Sequence, residues 1–159
     1  MWIKGARPRT LPAAIAPVAV GTACVSVEAN ATTNWSNAIF ALIVSLALQV
    51  AVNYANDYSD GVRGTDDKRV GPLRLVGSGA KTASAVKRAA FLSFGVAAIF
   101  GLILALLTSL WLLVVGVLCI LAGWFYTGGK KPYGYFGLGE VFVFVFFSSI
   151  ISCHICSKR

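Results

Sequence analysis

The stretch AAFLSFGVAAIFGLILALLTSLWLLVVGVLCILAGWF, residues 89–125, runs for 37 positions without a charged side chain. As one helix it would reach ~55 Å at about 1.5 Å per residue, nearly twice the ~30 Å hydrocarbon core of a bilayer. It has to fold back, and Thr108-Ser109 supplies the polar pair near its middle. We read spans at 89–107 and 110–126. Upstream, residues 37–54 form a second apolar segment, in which only Ser45 and Gln49 are polar between Ala38 and Val52. Residues 11–27 form a third, interrupted by Pro12 and Pro17 and followed almost at once by the next apolar run, so it reads as a retained first span and not as a cleaved signal peptide. Downstream, a glycine- and lysine-rich loop at 127–135 precedes a fifth apolar segment at 141–151. The expected fold is all-α, a polytopic membrane bundle with five transmembrane helices in this chain.

Composition agrees. Of 159 residues, 57% are hydrophobic and 13% charged, against about 25% charged in soluble domains. The mean hydropathy is +0.76. Fourteen Lys and Arg against six Asp and Glu give a net charge of +8, but the cations sit in short clusters between apolar runs. No nucleic-acid partner is expected. Lys4, Arg7 and Arg9 precede span one; the loop at 28–36 has no Lys or Arg; Arg63, Lys68, Arg69, Arg74 and Lys81 fill the next loop, which Lys87 and Arg88 close. The Thr108-Ser109 turn has none, and Lys130 and Lys131 lie in the following loop. Positive residues are retained on the cytoplasmic side, so the N terminus and both polar loops are expected in the cytoplasm of an integral protein of the inner or plasma membrane. Parity sends the end of segment five outward, where Lys158 and Arg159 fit poorly. The triplets Asn30-Ala-Thr and Asn34-Trp-Ser match a glycan acceptor pattern common by chance and carry no weight.

The chemistry concentrates in Gln49-Val-Ala-Val-Asn53-Tyr-Ala-Asn56-Asp57-Tyr-Ser-Asp60-Gly-Val-Arg-Gly64-Thr-Asp66-Asp67. Gln49, Asn53, Asn56, Asp57 and Asp60 fall on one face of a helix of period 3.6. Gly61 and Gly64 are expected to release the chain and let Asp66 and Asp67 curl back. Carboxylates that converge repel unless a cation lies between them. Mg²⁺ takes hard oxygen ligands, usually one or two carboxylates with water and substrate phosphates, and asparagine oxygens can complete or orient that shell. Lys68, Arg69 and Arg74 follow directly, cations suited to the rest of a diphosphate. A single Asp here would read as a solvated helix end, but polar groups are costly within the membrane and usually functional. A Mg²⁺-bridged diphosphate beside lipid is the simplest partner for the whole stripe.

Asn53-x-x-Asn56-Asp57-x-x-Asp60-x-x-x-Gly64-x-Asp66 resembles the first aspartate-rich motif of the UbiA-type intramembrane prenyltransferases, most nearly the branch that prenylates 1,4-dihydroxy-2-naphthoate in menaquinone synthesis. Lys4-Gly-Ala-Arg7-Pro-Arg9-Thr-Leu-Pro12 is similar to that branch's N terminus, Gly71-Pro-Leu-Arg74 with Gly77-Ser-Gly79 to the loop after the acids, and Tyr126-Thr-Gly-Gly-Lys130-Lys131-Pro-Tyr133 through Gly139-Glu140 to its second cytoplasmic loop. The likeness covers residues 2–147. It implies a bundle of about nine spans around a central cavity, with polyprenyl diphosphate and 1,4-dihydroxy-2-naphthoate as partners, Mg²⁺ as cofactor, an allylic cation on ionisation, and loss of the acceptor's carboxylate. Carried over by position, Asn56, Asp57, Asp60 and Asp66 would hold metal. Asn53, Lys68, Arg69 and Arg74 would bind the diphosphate substrate. Tyr126, Lys130 and Lys131 would border acceptor and leaving group, forming with Asp57 and Asp60 the implied catalytic set.

Residues 148–159 lack this likeness and read as an atypical tail of the kind a truncation or frameshift leaves; no Asp follows Asp67, whereas the family carries a second acid cluster on a later helix. The expectation is an incomplete form of the enzyme, and an inactive one where the missing half is required. Cys153 and Cys156 make one C-x-x-C pair, half of what a structural zinc site needs. Glu140 reads equally as a helix-start carboxylate or a cavity contact. Trp111 and Trp124 read as interface anchors, and the cluster Phe142, Phe144, Phe146 and Phe147 as lipid-facing or packing residues. Two other classes compete: a transporter or channel fragment, whose acids would lie nearer the bilayer midplane, and a non-catalytic membrane subunit.

Overall fold

A computed structural model describes residues 1–27, 32–64, 74–128, 132 and 134. Among them the regular structure is helical: α1 Trp2–Gly5, a 3-10 turn Pro8–Thr10, α2 Leu11–Val27, α3 Trp35–Arg63, α4 Ala83–Leu107 and α5 Trp111–Phe125. The first four expected spans stand as helices, and the charge-free stretch breaks where its polar pair lies, α4 ending at Leu107 with Thr108 as its cap. Trp2–Val27, Trp35–Arg63 and Ala83–Leu107 are each long and apolar enough to cross a membrane; α5 is apolar but shorter. The chain is an integral membrane protein. The fifth segment, at 141–151, and the 148–159 tail lie outside the described residues.

Helix α3 touches every other helix. Ser45 Oγ donates to Ala14 O, and Gln49 and Asn53 bond back to Thr10, so α2 and α3 run antiparallel. Phe40 faces Phe100, and Lys87 lies over the Tyr58 ring, so α4 also runs against α3. Helix α5 turns back once more and lies parallel to α3, with Val52 against Gly123 and Asn56 against Thr127. This order gathers the chain's N terminus, the last turns of α3, the segment before α4 and the end of α5 at one polar end of the bundle.

Asn34 starts α3 by accepting from Asn37 N at 3.2 Å, the helix-start role that suits its short amide. At the other end the structure corrects one expectation. Gly61 does not release the chain: α3 continues to Arg63, and Gly64, in the left-handed region at φ 68, terminates it. Gly61 serves close approach instead, because a Cβ there would lie 2.4 Å from Val76 Cγ1. Trp124 is likewise more than an interface anchor, packing 4.8 Å from Phe91 and stacked 6.4 Å from Tyr58. The buried core is small and close to the polar end: Ala51, Tyr54, Ala55, Leu75, Val86, Ala90 and Phe94.

Candidate active site at the polar end of α3

The polar stripe is present on α3, but its side chains do not meet at one point. They reach three separate segments of chain. Toward the N terminus, Asn53 Nδ2 donates to Ala6 O at 2.8 Å and to Thr10 Oγ1 at 2.9 Å, and Gln49 Nε2 donates to the same hydroxyl at 3.3 Å. Tyr54 adds a hydrogen bond from its hydroxyl to Trp2 O at 3.0 Å and an edge-on ring contact with Trp2. Gly5 sits flush against this surface, with room for no Cβ beside Leu75 and Tyr54. The basic N-terminal segment is therefore laid across the end of α3, with Arg7 in the left-handed region at φ 51.

Toward the segment before α4, Asp57 accepts two backbone N–H groups, Leu75 N on Oδ2 at 2.8 Å and Val76 N on Oδ1 at 3.1 Å. One turn further along, Asp60 Oδ2 lies 3.1 Å from Arg74 Nη2, both side chains largely buried. Buried ions persist only when paired and hydrogen-bonded, and this pair meets the first condition directly.

Toward the end of α5, Thr127 Oγ1 donates to Asn56 Oδ1 at 2.6 Å, and Arg63 Nη1 donates to Thr127 O at 2.6 Å. Thr127 is buried. Its two bonds anchor the start of the glycine- and lysine-rich loop to α3 at positions seven residues, or two turns, apart.

Of the expected site residues, Asn53, Asn56, Asp57, Asp60 and Arg74 are thus at the polar end, and Tyr126 stands one residue before the anchored Thr127. Asp66, Lys68, Arg69, Lys130 and Lys131 lie outside the described residues, as do Glu140, Cys153 and Cys156. Thr10, Arg63, Leu75 and Thr127 were not singled out by sequence reasoning. Thr127 carried the one available signal, its place beside Tyr126 in the second loop motif; bonds spanning 43 and 71 residues leave no spacing to read.

The donor set is one of hard oxygens. Among the described residues no group of three or more His, Cys, Asp or Glu side chains gathers as a metal site, so there is no all-protein cage. Carboxylate and amide oxygens are the kind of donor Mg²⁺ takes, one or two carboxylates with waters and substrate oxygens.

Comparison with known proteins gives the lineage. A family model described as the UbiA prenyltransferase family matches residues 14–153, and so enters the stretch 148–159. The chain is 56% identical over 149 residues to the 1,4-dihydroxy-2-naphthoate octaprenyltransferase of Mycobacterium tuberculosis, covering 94% of this chain and 50% of that protein. It is 39% identical over 153 residues to the Escherichia coli protein of the same name, covering 92% and 49%, and 31% identical over 137 residues to that of Bacillus subtilis, covering 86% and 43%. The chain spans about half the length of these relatives. No solved structure matches it. With the acid motif on a membrane helix, and the basic segments tied to its end, the chain belongs to the UbiA prenyltransferase family.

Proposed function

We propose that this chain carries the diphosphate-binding half of a Mg²⁺-dependent prenyltransferase. The enzyme moves a polyprenyl group from its diphosphate to 1,4-dihydroxy-2-naphthoate with loss of the acceptor's carboxylate. The C–O bond of the prenyl diphosphate breaks and the diphosphate leaves with the electron pair; the naphthoate ring forms a C–C bond to the allylic cation, and the carboxylate departs as CO₂. No oxidant takes part, so the product is demethylmenaquinone in its reduced, dihydroxy form. The relatives' names supply the acceptor.

The observation that carries this reading is the Asp60–Arg74 pair at 3.1 Å, set in a buried position at the end of a membrane helix. The two side chains neutralise each other, and a magnesium diphosphate offers each a new partner of opposite sign. Asp60, with Asn56 and Asp66, would supply oxygens for the metal, whose positive charge would stabilise the leaving diphosphate. Arg74, Lys68 and Arg69 bind phosphate oxygens, and Asn53 holds the N-terminal segment on α3. Thr127 fixes the root of the loop carrying Lys130 and Lys131, which with Tyr126 border leaving group and acceptor. The apolar helices exclude water from the cation. The N terminus and both site loops face the cytoplasm in this reading, following the distribution of Lys and Arg. The acids crowd one helix end and are followed by cations, which speaks against an ion path at the midplane.

Membranes containing the chain, given labelled polyprenyl diphosphate and graded Mg²⁺, test the proposal. Saturable binding that requires Mg²⁺ and weakens at least about ten-fold in Asp60→Asn is expected, since hydrogen bonds to charged groups are worth roughly 1.5–3 kcal/mol. Absence of binding at high Mg²⁺ would refute it.

A further inference from the structure

Asp57 is the most deeply buried charged side chain of the stripe, 1% exposed, and each of its oxygens already receives a backbone N–H. Those two amides open a compact turn. Within it Ser78 N donates to Arg74 O at 3.1 Å, Gly79 N to Val76 O at 2.9 Å and Lys81 N to Leu75 O at 2.9 Å, with Gly79 in the left-handed region at φ 69. The Leu75 and Val76 amides donate to Asp57 and not to a carbonyl of the turn, as the first amides of a helix donate to a capping side chain. Asp57 accepts them from 18 and 19 residues away, as an N-cap supplied in trans.

The same turn is locked by packing on either side of the carboxylate. The Leu75 side chain is fully buried against Gly5 and Tyr54, and Val76 fills the notch left by Gly61. Arg74 is the residue immediately before the two capped amides, and its guanidinium lies on Asp60. Backbone capping at 75 and 76 therefore sets where that guanidinium points.

We propose that Asp57 is a positioning residue: it holds the turn that carries Arg74 onto α3, while Asp60 is the carboxylate of the pair that turns toward metal and diphosphate. The acid motif then divides by direction. One carboxylate is spent on the chain's own backbone, and its neighbour one turn on is paired with the Arg74 guanidinium. For its binding arm this inference rests on the prenyltransferase reading; its structural arm does not.

The test uses the whole chain in nanodiscs, comparing wild type with Asp57→Asn and Asp60→Asn. Hydrogen exchange without Mg²⁺ is measured first on the peptide containing Leu75 and Val76. An asparagine at 57 keeps one acceptor and turns an NH₂ against the other amide, so exchange there is expected to rise about ten-fold or more, with Asp60→Asn close to wild type. Binding of labelled polyprenyl diphosphate is then titrated with Mg²⁺. Asp57→Asn should weaken binding at every Mg²⁺ concentration while leaving the half-saturating Mg²⁺ within about two-fold; Asp60→Asn should raise that value about ten-fold. Leu75→Ala frees the turn from its other side with the carboxylate intact, and should reproduce the Asp57→Asn binding pattern, which decides the matter should Asp57→Asn fail to fold. Unchanged exchange in Asp57→Asn, or a Mg²⁺ requirement shifted as in Asp60→Asn, would overturn the proposal. If wild type binds no prenyl diphosphate, the functional reading fails and the exchange result alone confirms or refutes the positioning role.

Discussion

The two ends of the α2–α3 pair are built on opposite terms. At the polar end Asn53, Asp57, Asp60 and Thr127 are buried and tie α3 to three stretches of chain, around a side chain, Leu75, with no exposed surface. At the other end α2 and α3 part into an open groove of about 450 Å³ lined by residues such as Val18, Thr22, Trp35, Ile39 and Leu42, and Val27 is 84% and Trp35 68% exposed. In water such exposure would be costly; in a bilayer apolar side chains meet a solvent as apolar as themselves, and association is driven by packing and hydrogen bonds. The contrast teaches where this chain stores its tertiary instructions. They lie in polar ties and glycine notches at one end of α3, which is also the end carrying the acid motif.

Substitutions along α3 and its partners can break or sharpen that contrast. Leu75→Ala is expected to have the largest effect, about 2–5 kcal/mol, because it empties a fully buried position under the turn that Asp57 caps; thermal unfolding in detergent micelles measures it. Asn53→Leu comes next, at about 1–2 kcal/mol. It removes both bonds to Ala6 and Thr10, each worth roughly 0.5–1.5 kcal/mol, and should expose the first ten residues to protease. The smallest effect belongs to the opposite end. Ile39→Ala, on the groove and 55% exposed, should change stability by less than about 0.5 kcal/mol. An Ile39 effect rivalling that of Leu75 would erase the distinction between the ends.

Much of the architecture was legible before any coordinates. A charge-free run too long for one span forces a hairpin, and Thr108-Ser109 is where it occurs. The stripe from Gln49 to Asp60 follows from helical period alone. What each stripe residue does was not legible, since period places side chains on a face without naming their partners. Gly61 illustrates the limit. As a local signal glycine means a helix end, yet here tertiary contact with Val76 overrides propensity and the helix ends at Gly64. Asp57 is a second case: nothing in the motif separates a carboxylate that caps a remote turn from one that faces a ligand. Thr127 and Arg63 were missed because their pairing depends on α5 returning parallel to α3, a consequence of topology that no local pattern records.

The central claim is one of place: the diphosphate of a prenyl donor is held at the polar end of α3. A polyprenyl diphosphate bearing a photoreactive diazirine on the carbon chain beside the diphosphate, activated in membranes containing this chain and mapped by mass spectrometry, tests it directly. Labelling is predicted to require Mg²⁺ and to fall on residues 6–10, 53–64, 74–82 and 126–128. Label spread along the apolar faces, or concentrated in the groove beside Trp35 and indifferent to Mg²⁺, would contradict the account.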